Sequence, residues 1–402
     1  MKLQFVTIIK AFAAMLVAFS LLNEVNAIAT ANNIAPKAAV FVVDTTEDGD
    51  DINPGDGICK SSSNFCTLRA AVSEANALSV ESIINLPSGL FQFTIHPNTT
   101  AHLMIYKTIT IQGVSPQETI IDGVYIPPTG ARLPVIHSYW NLTLKKLSII
   151  NGSDYVVGPG GPTDGYEVYG AVTSRKQITI DQVVLRNNSF GIYAMPITIS
   201  GVPQTTPQIS VINSTIIDNE AGIVTNGILT IDNSTISGNS RTGVNIVGGT
   251  TTISNSTIVG NCATWCDGGG IADWSGGLAT ITMAHTILAK NGPSPDCHGK
   301  IHSAGYNLIG SLGQCNFISN QDDLINVQAL TAPLGNYGGL TPTIALLPNS
   351  PAIDAGNPAG CGMVIDQRGM YRPVDGNGDG IAVCDIGAYE TQFTLFLPSV
   401  NK

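Results

Sequence analysis

Short runs of alternating apolar and polar residues recur along the middle of the chain. Three stretches carry one phrase: Val211-Ile-Asn-Ser-Thr-Ile-Ile-Asp-Asn219, Ile231-Asp-Asn-Ser-Thr-Ile-Ser-Gly-Asn239 and Ile253-Ser-Asn-Ser-Thr-Ile-Val-Gly-Asn261. It returns after 20 residues and then after 22. Weaker copies flank it at 180–188 and 281–291, with longer gaps that imply inserted loops. β-Branched residues alternating with polar ones predict strands rather than helices. Asn and Gly punctuate the runs at Gly222, Gly227, Gly238, Gly243 and Gly248-Gly249, and are read as turn residues that tolerate positive φ.

A period near 21 residues with two or three short strands per repeat predicts one coil of a parallel β-helix. A leucine-rich repeat would need its Leu-x-x-Leu-x-Leu frame, and a propeller blade about 40 residues; neither is present. The expected fold is therefore all-β: a right-handed, pectate-lyase-like parallel β-helix with a short N-terminal capping helix and a loop-rich C-terminal cap. Asn219, Asn239 and Asn261, stacked in register, would hydrogen-bond along the axis as a structural ladder. The Ser-Thr pairs beside them are read as strand-face residues.

An open solenoid exposes strand edges and apolar core at its ends, so both ends need covers. Leu68, Ala71, Val72 and Ala75 fall at helical spacing, giving an apolar face for the first coil. The segment 361–384 would cover the other end. The expected organisation is a signal peptide over 1–27, an N-terminal cap over 28–82, the β-helix over 83–330, a C-terminal cap over 331–390 and a tail over 391–402.

Residues 11–22 form an apolar run behind Lys2 and Lys10, with Val25-Asn26-Ala27 as a small-residue cleavage site. The run falls short of a membrane span. All eight cysteines lie beyond it, in what would be an oxidising compartment. Neighbour closure predicts Cys59–Cys66, Cys262–Cys266, Cys297–Cys315 and Cys361–Cys384. A zinc site from Cys262, Cys266, Cys297 and His298 is the rival. Charged residues make up 12% of the chain and the net charge is −11, which argues against a nucleic-acid footprint or a polybasic membrane patch. The 43 glycines follow no three-residue period, so the chain is not collagen.

Four sets of side chains invite chemistry. Asp375-Gly-Asn-Gly-Asp-Gly380 places oxygens at alternate positions, as a calcium loop does, but Ile386 stands where an EF-hand needs glutamate. Asp375, Asn377 and Asp379 with Asp385 are the calcium candidate. The acidic run Asp44, Asp48, Asp50, Asp51 and Asp56 is a second one. Trp265, Asp267, Asp273 and Trp274, on a loop stiffened by Cys262–Cys266, offer stacking faces and acceptors for a glycan. Asp181, Asp218, Asp232, Asp267 and Asp273 are the carboxylates open to a hydrolase, which needs two on one face. Asp218 and Asp232 differ in repeat phase and need not meet. His96, His137 and His285 read as ordinary strand or loop residues. No Asn-Thr-Asp, Gly-His-Gly or Arg-Ile-Lys phrase of pectin hydrolases occurs, nor the Trp-Ile-Asp-His of pectate lyases.

Cys66-Thr-Leu-Arg-Ala-Ala-Val-Ser-Glu-Ala-Asn76 resembles the N-terminal cysteine-serine-leucine-arginine-glutamate-alanine module of a family of secreted bacterial β-helix proteins. The segments 336–343, 350–356, 366–373 and 384–390 resemble that family's closing choice-of-anchor module. The resemblance covers roughly residues 41–390 and implies secretion and a surface role, with no catalytic residues to carry over. Ala70 stands where the family usually has glutamate, so Glu74, a turn along, is the expected replacement partner for Arg69. The function expected is a cell-surface or extracellular scaffold that adheres or binds glycan. The alternative is a polysaccharide lyase or glycoside hydrolase with a non-standard site. The expected partner is extracellular polysaccharide or a cell-surface component, and calcium the one cofactor considered.

Overall fold

The structure, a computed structural model, describes residues 37–93, 102–123, 125–126, 131–132, 135–152, 170–196, 205–263, 266, 268–293, 295–313 and 315–392. The expected signal peptide, the end of the tail, His96, Trp265 and Asp267 lie outside them. Residues from Ala39 onward form one compact unit, a right-handed parallel β-helix.

A 17-stranded parallel sheet folds lengthwise into two faces, and a 10-stranded parallel sheet makes the third. The front face stacks Ala39–Val42, Ser82–Asn85, Ile109–Gln112, Leu142–Lys145, Gln177–Asp181 and Gln208–Ile212, and continues through 228–232 and 250–254 to Thr280–Ala284 and Lys300–Gly305. The back sheet runs from Gly89–Gln92 to Leu324–Ile325. The side face runs from Leu103–Ile105 to Cys297–His298. The first parallel strand thus lies inside the segment read as a cap.

Alternation decides the core. Ile84, Ile111, Leu144, Ile180, Val211, Ile231, Ile253 and Met283 are register partners in succession and all are buried. Each Ile or Leu removes its side chain from water, roughly 1.5–3 kcal/mol apiece.

Two polar ladders hold the corners. Asn188, Asn219, Asn239, Asn261 and Asn291 each pass a side-chain amide hydrogen to the next, at 2.8–2.9 Å, and Asp296 accepts the last at 3.0 Å. At the front-to-back corner the hydroxyls of Ser214, Ser234, Ser256 and Thr286 each accept the amide N–H of the preceding coil. These serines are therefore corner residues, and only the threonines that follow them begin strands.

The helix Leu68–Ala77 is capped by the Thr67 hydroxyl, which accepts from the Ala70 amide at 3.0 Å. It buries Leu68, Ala71, Val72 and Ala75 against the first coils. Arg69 does not pair with Glu74: its guanidinium donates to both oxygens of Asp48, at 2.7 and 3.0 Å. Glu74 instead accepts the amides of Gly55 and Gly57, both 2.5 Å away.

All four expected disulfides form, which removes the zinc reading, because a bridged cysteine offers no thiolate. The C-terminal module corrects the expected placement of the segment 361–384. It lies along the flank of the back sheet instead of over the end of the solenoid. Val259, Ile287, Ala289 and Leu308 on that sheet form a second apolar core with Ala329, Ile344, Leu346, Ala352 and Ile386 of the module. The outward apolar residues of these coils need a cover, and the module supplies it.

Candidate functional site

On the front face, alternate residues point outward. Thr110, Thr143, Thr179, Ser210, Thr230, Thr252 and Thr282 are successive register partners, and His302 and Ile318 follow them in the column. Strand spacing sets these hydroxyls about 4.8 Å apart along the axis. A second column, two residues earlier, holds Gln177, Gln208, Ile228, Thr250 and Thr280, all exposed. The floor is thus a sheet of small uncharged polar groups. Each hydroxyl both donates and accepts.

Aromatic rings border one long edge, where the chain turns from the side face to the front. Tyr106 stacks on Tyr139 at 5.5 Å, Lys176 lies 3.5 Å over the Trp140 ring, and Trp274 stacks on His298 at 4.6 Å. Trp140 and Trp274 remain 43% and 49% exposed. The opposite edge is polar. Asp181 lies 4.0 Å from Lys145 and accepts from Asn213. Asp232 accepts from Ser254 and Asn255, both at 3.0 Å. The C-terminal module abuts this edge, with Thr341 donating to the Asn213 carbonyl and Asn233 to that of Ile365.

The expected glycan residues separate. Trp274 is a solvent-facing platform. Asp273 is buried and turns the chain, its Oδ1 accepting the Ser275 amide at 2.9 Å, so it does not stand beside Trp274 as an exposed acceptor. The calcium set does not assemble. Asp375 accepts the amides of Gly378 and Gly380, and Asp379 that of Ile381. Asp385 is buried and takes the amides of Asp354 and Thr391. The acidic run is likewise dispersed: Asp44 binds the Cys66 amide, Asp48 binds Arg69, and Asp51 binds the amides of Asn53 and Lys60. Among the described residues, no three His, Cys, Asp or Glu side chains group to hold a metal ion. Asp181 and Asp232 do share a front-face column with Ile212 between them, whereas Asp218 sits at the Asn-ladder corner. There it borders an open cleft of about 610 Å³ with Glu220 and Arg241, which pair at 2.9 Å.

The hydroxyl columns are the feature that the repeat phrase hides. Their signal is Thr at every second position before each corner, as in Thr250-Thr251-Thr252 and Thr280-Ile281-Thr282.

His137 is not an ordinary strand residue. It is buried on the outside of the side face, stacked on Tyr139 at 4.3 Å and 6.1 Å from His102. Burial, then Arg175 and His102, holds its pKa down to about 3; burial and Arg69 hold His102 at about 4. Both lie below the ordinary 6.5, so the folded state binds these protons less tightly than the unfolded chain. Stability is full above about pH 6.5 and falls as pH drops toward 4. Urea unfolding at pH 7 and pH 4.5 is expected to differ by up to about 5 kcal/mol from this pair, and His137→Phe to remove about half of that difference. An unchanged slope in the variant would assign the acid lability elsewhere.

No protein-family profile matches the sequence, and no curated protein matches it. Among solved structures, pectate lyase Pel9A superposes with a TM-score of 0.52 at 12% identity, over 90% of this chain and 98% of that one. The A-module of a mannuronan C-5 epimerase from Azotobacter vinelandii gives a TM-score of 0.26 at 15% identity, over 70% of this chain and 95% of that one. The first of these identifies the fold of this chain as the right-handed parallel β-helix.

Proposed function

We propose that this chain is an exported extracellular solenoid that holds polysaccharide along its front face without cleaving it. The observation that carries the reading is the unbroken outward column of hydroxyls from Thr110 to Thr282, bordered by Trp140 and Trp274. Sugar sites combine apolar ring platforms with a few convergent hydrogen-bonding groups. Export is supported by the N-terminal apolar run and by four disulfides. The likeness of residues 66–76 and 336–390 to modules of secreted bacterial β-helix proteins supports a place at the cell surface. Pectate lyase Pel9A carries a polysaccharide activity on the same fold.

A second reading has one observation in its favour. Two strand spacings put Asp181 and Asp232 about 9.5 Å apart at their Cα atoms, near the upper limit of about 9.5 Å between carboxyls in inverting glycosidases. Both carboxylates, however, are engaged by neighbouring side chains. Incubation of the secreted protein with a panel of plant, algal and bacterial polysaccharides distinguishes the readings. Retention without new reducing ends is expected. Reducing ends that vanish in Asp232→Asn would replace the binding reading with a hydrolase.

A further inference from the structure

We infer that the front face selects an extended neutral glycan over a uronic-acid polymer, with the glycan lying along the solenoid axis, one sugar per coil. This rests on the glycan-binding reading and goes further by naming the class of ligand.

Direction comes first. Across the strands the face is closed by the aromatic edge on one side and by the C-terminal module on the other. Along the axis the same hydroxyl recurs at each coil, about 4.8 Å on. A polymer with a similar repeat meets the same donor and acceptor at each sugar, so successive contacts add without strain.

Charge comes second. From Gln208 to Thr282 the two floor columns contain no ionisable side chain: Gln208, Ser210, Ile228, Thr230, Thr250, Thr252, Thr280 and Thr282. The cations near the face are spoken for or peripheral. Lys145 faces Asp181, Lys176 covers Trp140, Arg175 donates to the Met195 carbonyl, and Lys300 and His302 lie on a later strand. Asp181 and Asp232 line the polar edge, in a chain of net charge −11. A polyuronate would bring one carboxylate per sugar into this negative field with no cation row to meet it. Desolvating such charges unpaired is costly. A neutral sugar loses nothing comparable, and it gains the exposed faces of Ile228 and Trp274.

The test is calorimetric titration of the whole secreted protein with cellohexaose, xylohexaose and hexagalacturonate at low and high salt. At least one neutral hexasaccharide is expected to bind at least tenfold more tightly than hexagalacturonate at low salt, with the gap narrowing as salt screens repulsion. The double variant Thr230→Lys/Thr252→Lys is expected to lose neutral binding tenfold or more and to gain hexagalacturonate binding. Its fold is checked by circular dichroism, and the milder Thr252→Val serves if it fails to fold, with a severalfold loss expected. Hexagalacturonate binding as tightly as the neutral sugars would overturn the selectivity and leave the glycan-binding reading standing. Neutral binding untouched by every front-face variant would overturn the placement. No binding by any of the three, nor retention on the polysaccharide panel, would remove the glycan-binding reading itself.

Discussion

Asn239→Ala is expected to destabilise the solenoid by about 3–4 kcal/mol, since a buried donor or acceptor left unpaired costs about 1–3 kcal/mol and this change orphans more than one. Asn239 is fully buried in the middle of the ladder. Its side-chain oxygen accepts both the backbone amide and the side-chain amide of Asn219, at 3.1 and 2.9 Å. Its side-chain nitrogen donates to the Ile216 carbonyl and to Asn261 at 3.1 and 2.8 Å. Alanine supplies none of these and leaves a cavity at the centre of the ladder. Because each coil contacts only its neighbours, the loss spreads into the adjoining coils before it reaches the ends. Equilibrium denaturation of Asn239→Ala beside Ser240→Ala, an exposed neighbour expected to stay within about 0.5 kcal/mol, isolates the ladder's share. Equal behaviour of the two variants would show that the ladder is ornamental.

The same corner shows how far the sequence was legible. The recurrence of Asn at 219, 239 and 261 is enough to predict the ladder, because identical residues at one coil period must stack. The punctuating glycines are legible as necessary but not as to why. Only Gly238 and Gly249 of the set adopt positive φ, at 67° and 85°. Gly222 and Gly243 are required by crowding: a Cβ on Gly222 would sit 2.3 Å from the Gly243 carbonyl oxygen, and one on Gly243 would sit 2.8 Å from that of Gly270. Both corners bend through positive φ: Asn187, Asp218, Gly238, Gly260 and Lys290 do so just before the ladder asparagines, and Asn213, Asn233 and Asn255 do so at the other corner. Period alone cannot say which residues at a corner take positive φ, since Asn, Asp, Gly and Lys all do so here.

The candidate site was less legible for a related reason. Tryptophans and carboxylates stand out in a sequence, and the loop around Trp265 and Trp274 holds both. A face made of threonines does not stand out, because Thr is also what a strand prefers. Only the register, which aligns Thr230, Thr252 and Thr282 and leaves them outside, turns propensity into a surface. The aspartates at 375–385 misled in the opposite sense. Alternate Asp, Asn and Gly make good turns by accepting nearby backbone amides, and here that local use consumes the oxygens a cation would need.

Gln367→Leu is expected to free the C-terminal module from the flank while leaving the coils folded. Gln367 is buried, with its amide at the meeting point of module and back sheet. Its oxygen accepts the hydroxyls of Thr235 and Thr343, at 2.6 and 3.1 Å. Its nitrogen donates to the Thr215 and Thr341 hydroxyls, both at 3.0 Å, and to the carbonyls of Ser214 and Pro342. One side chain therefore ties two neighbouring coils to the module's segment 341–343. Leucine matches the volume but leaves several buried hydroxyls and carbonyls without this partner, at about 1–3 kcal/mol each. The module's own fold rests on other bonds: Cys361–Cys384, the Arg368–Asp366 pair at 2.6 Å, and Arg372 donating to the Gly387 carbonyl at 2.7 Å. The coils rest on their ladders. Hydrogen exchange should thus show amides of 331–390 exchanging at least tenfold faster, with those of 208–260 unchanged. Uniform acceleration across both would mean that module and solenoid unfold as one unit. Unchanged exchange in the module would mean that the apolar contact of Ala329, Ile344, Leu346 and Ile386 with the back sheet holds it without the glutamine.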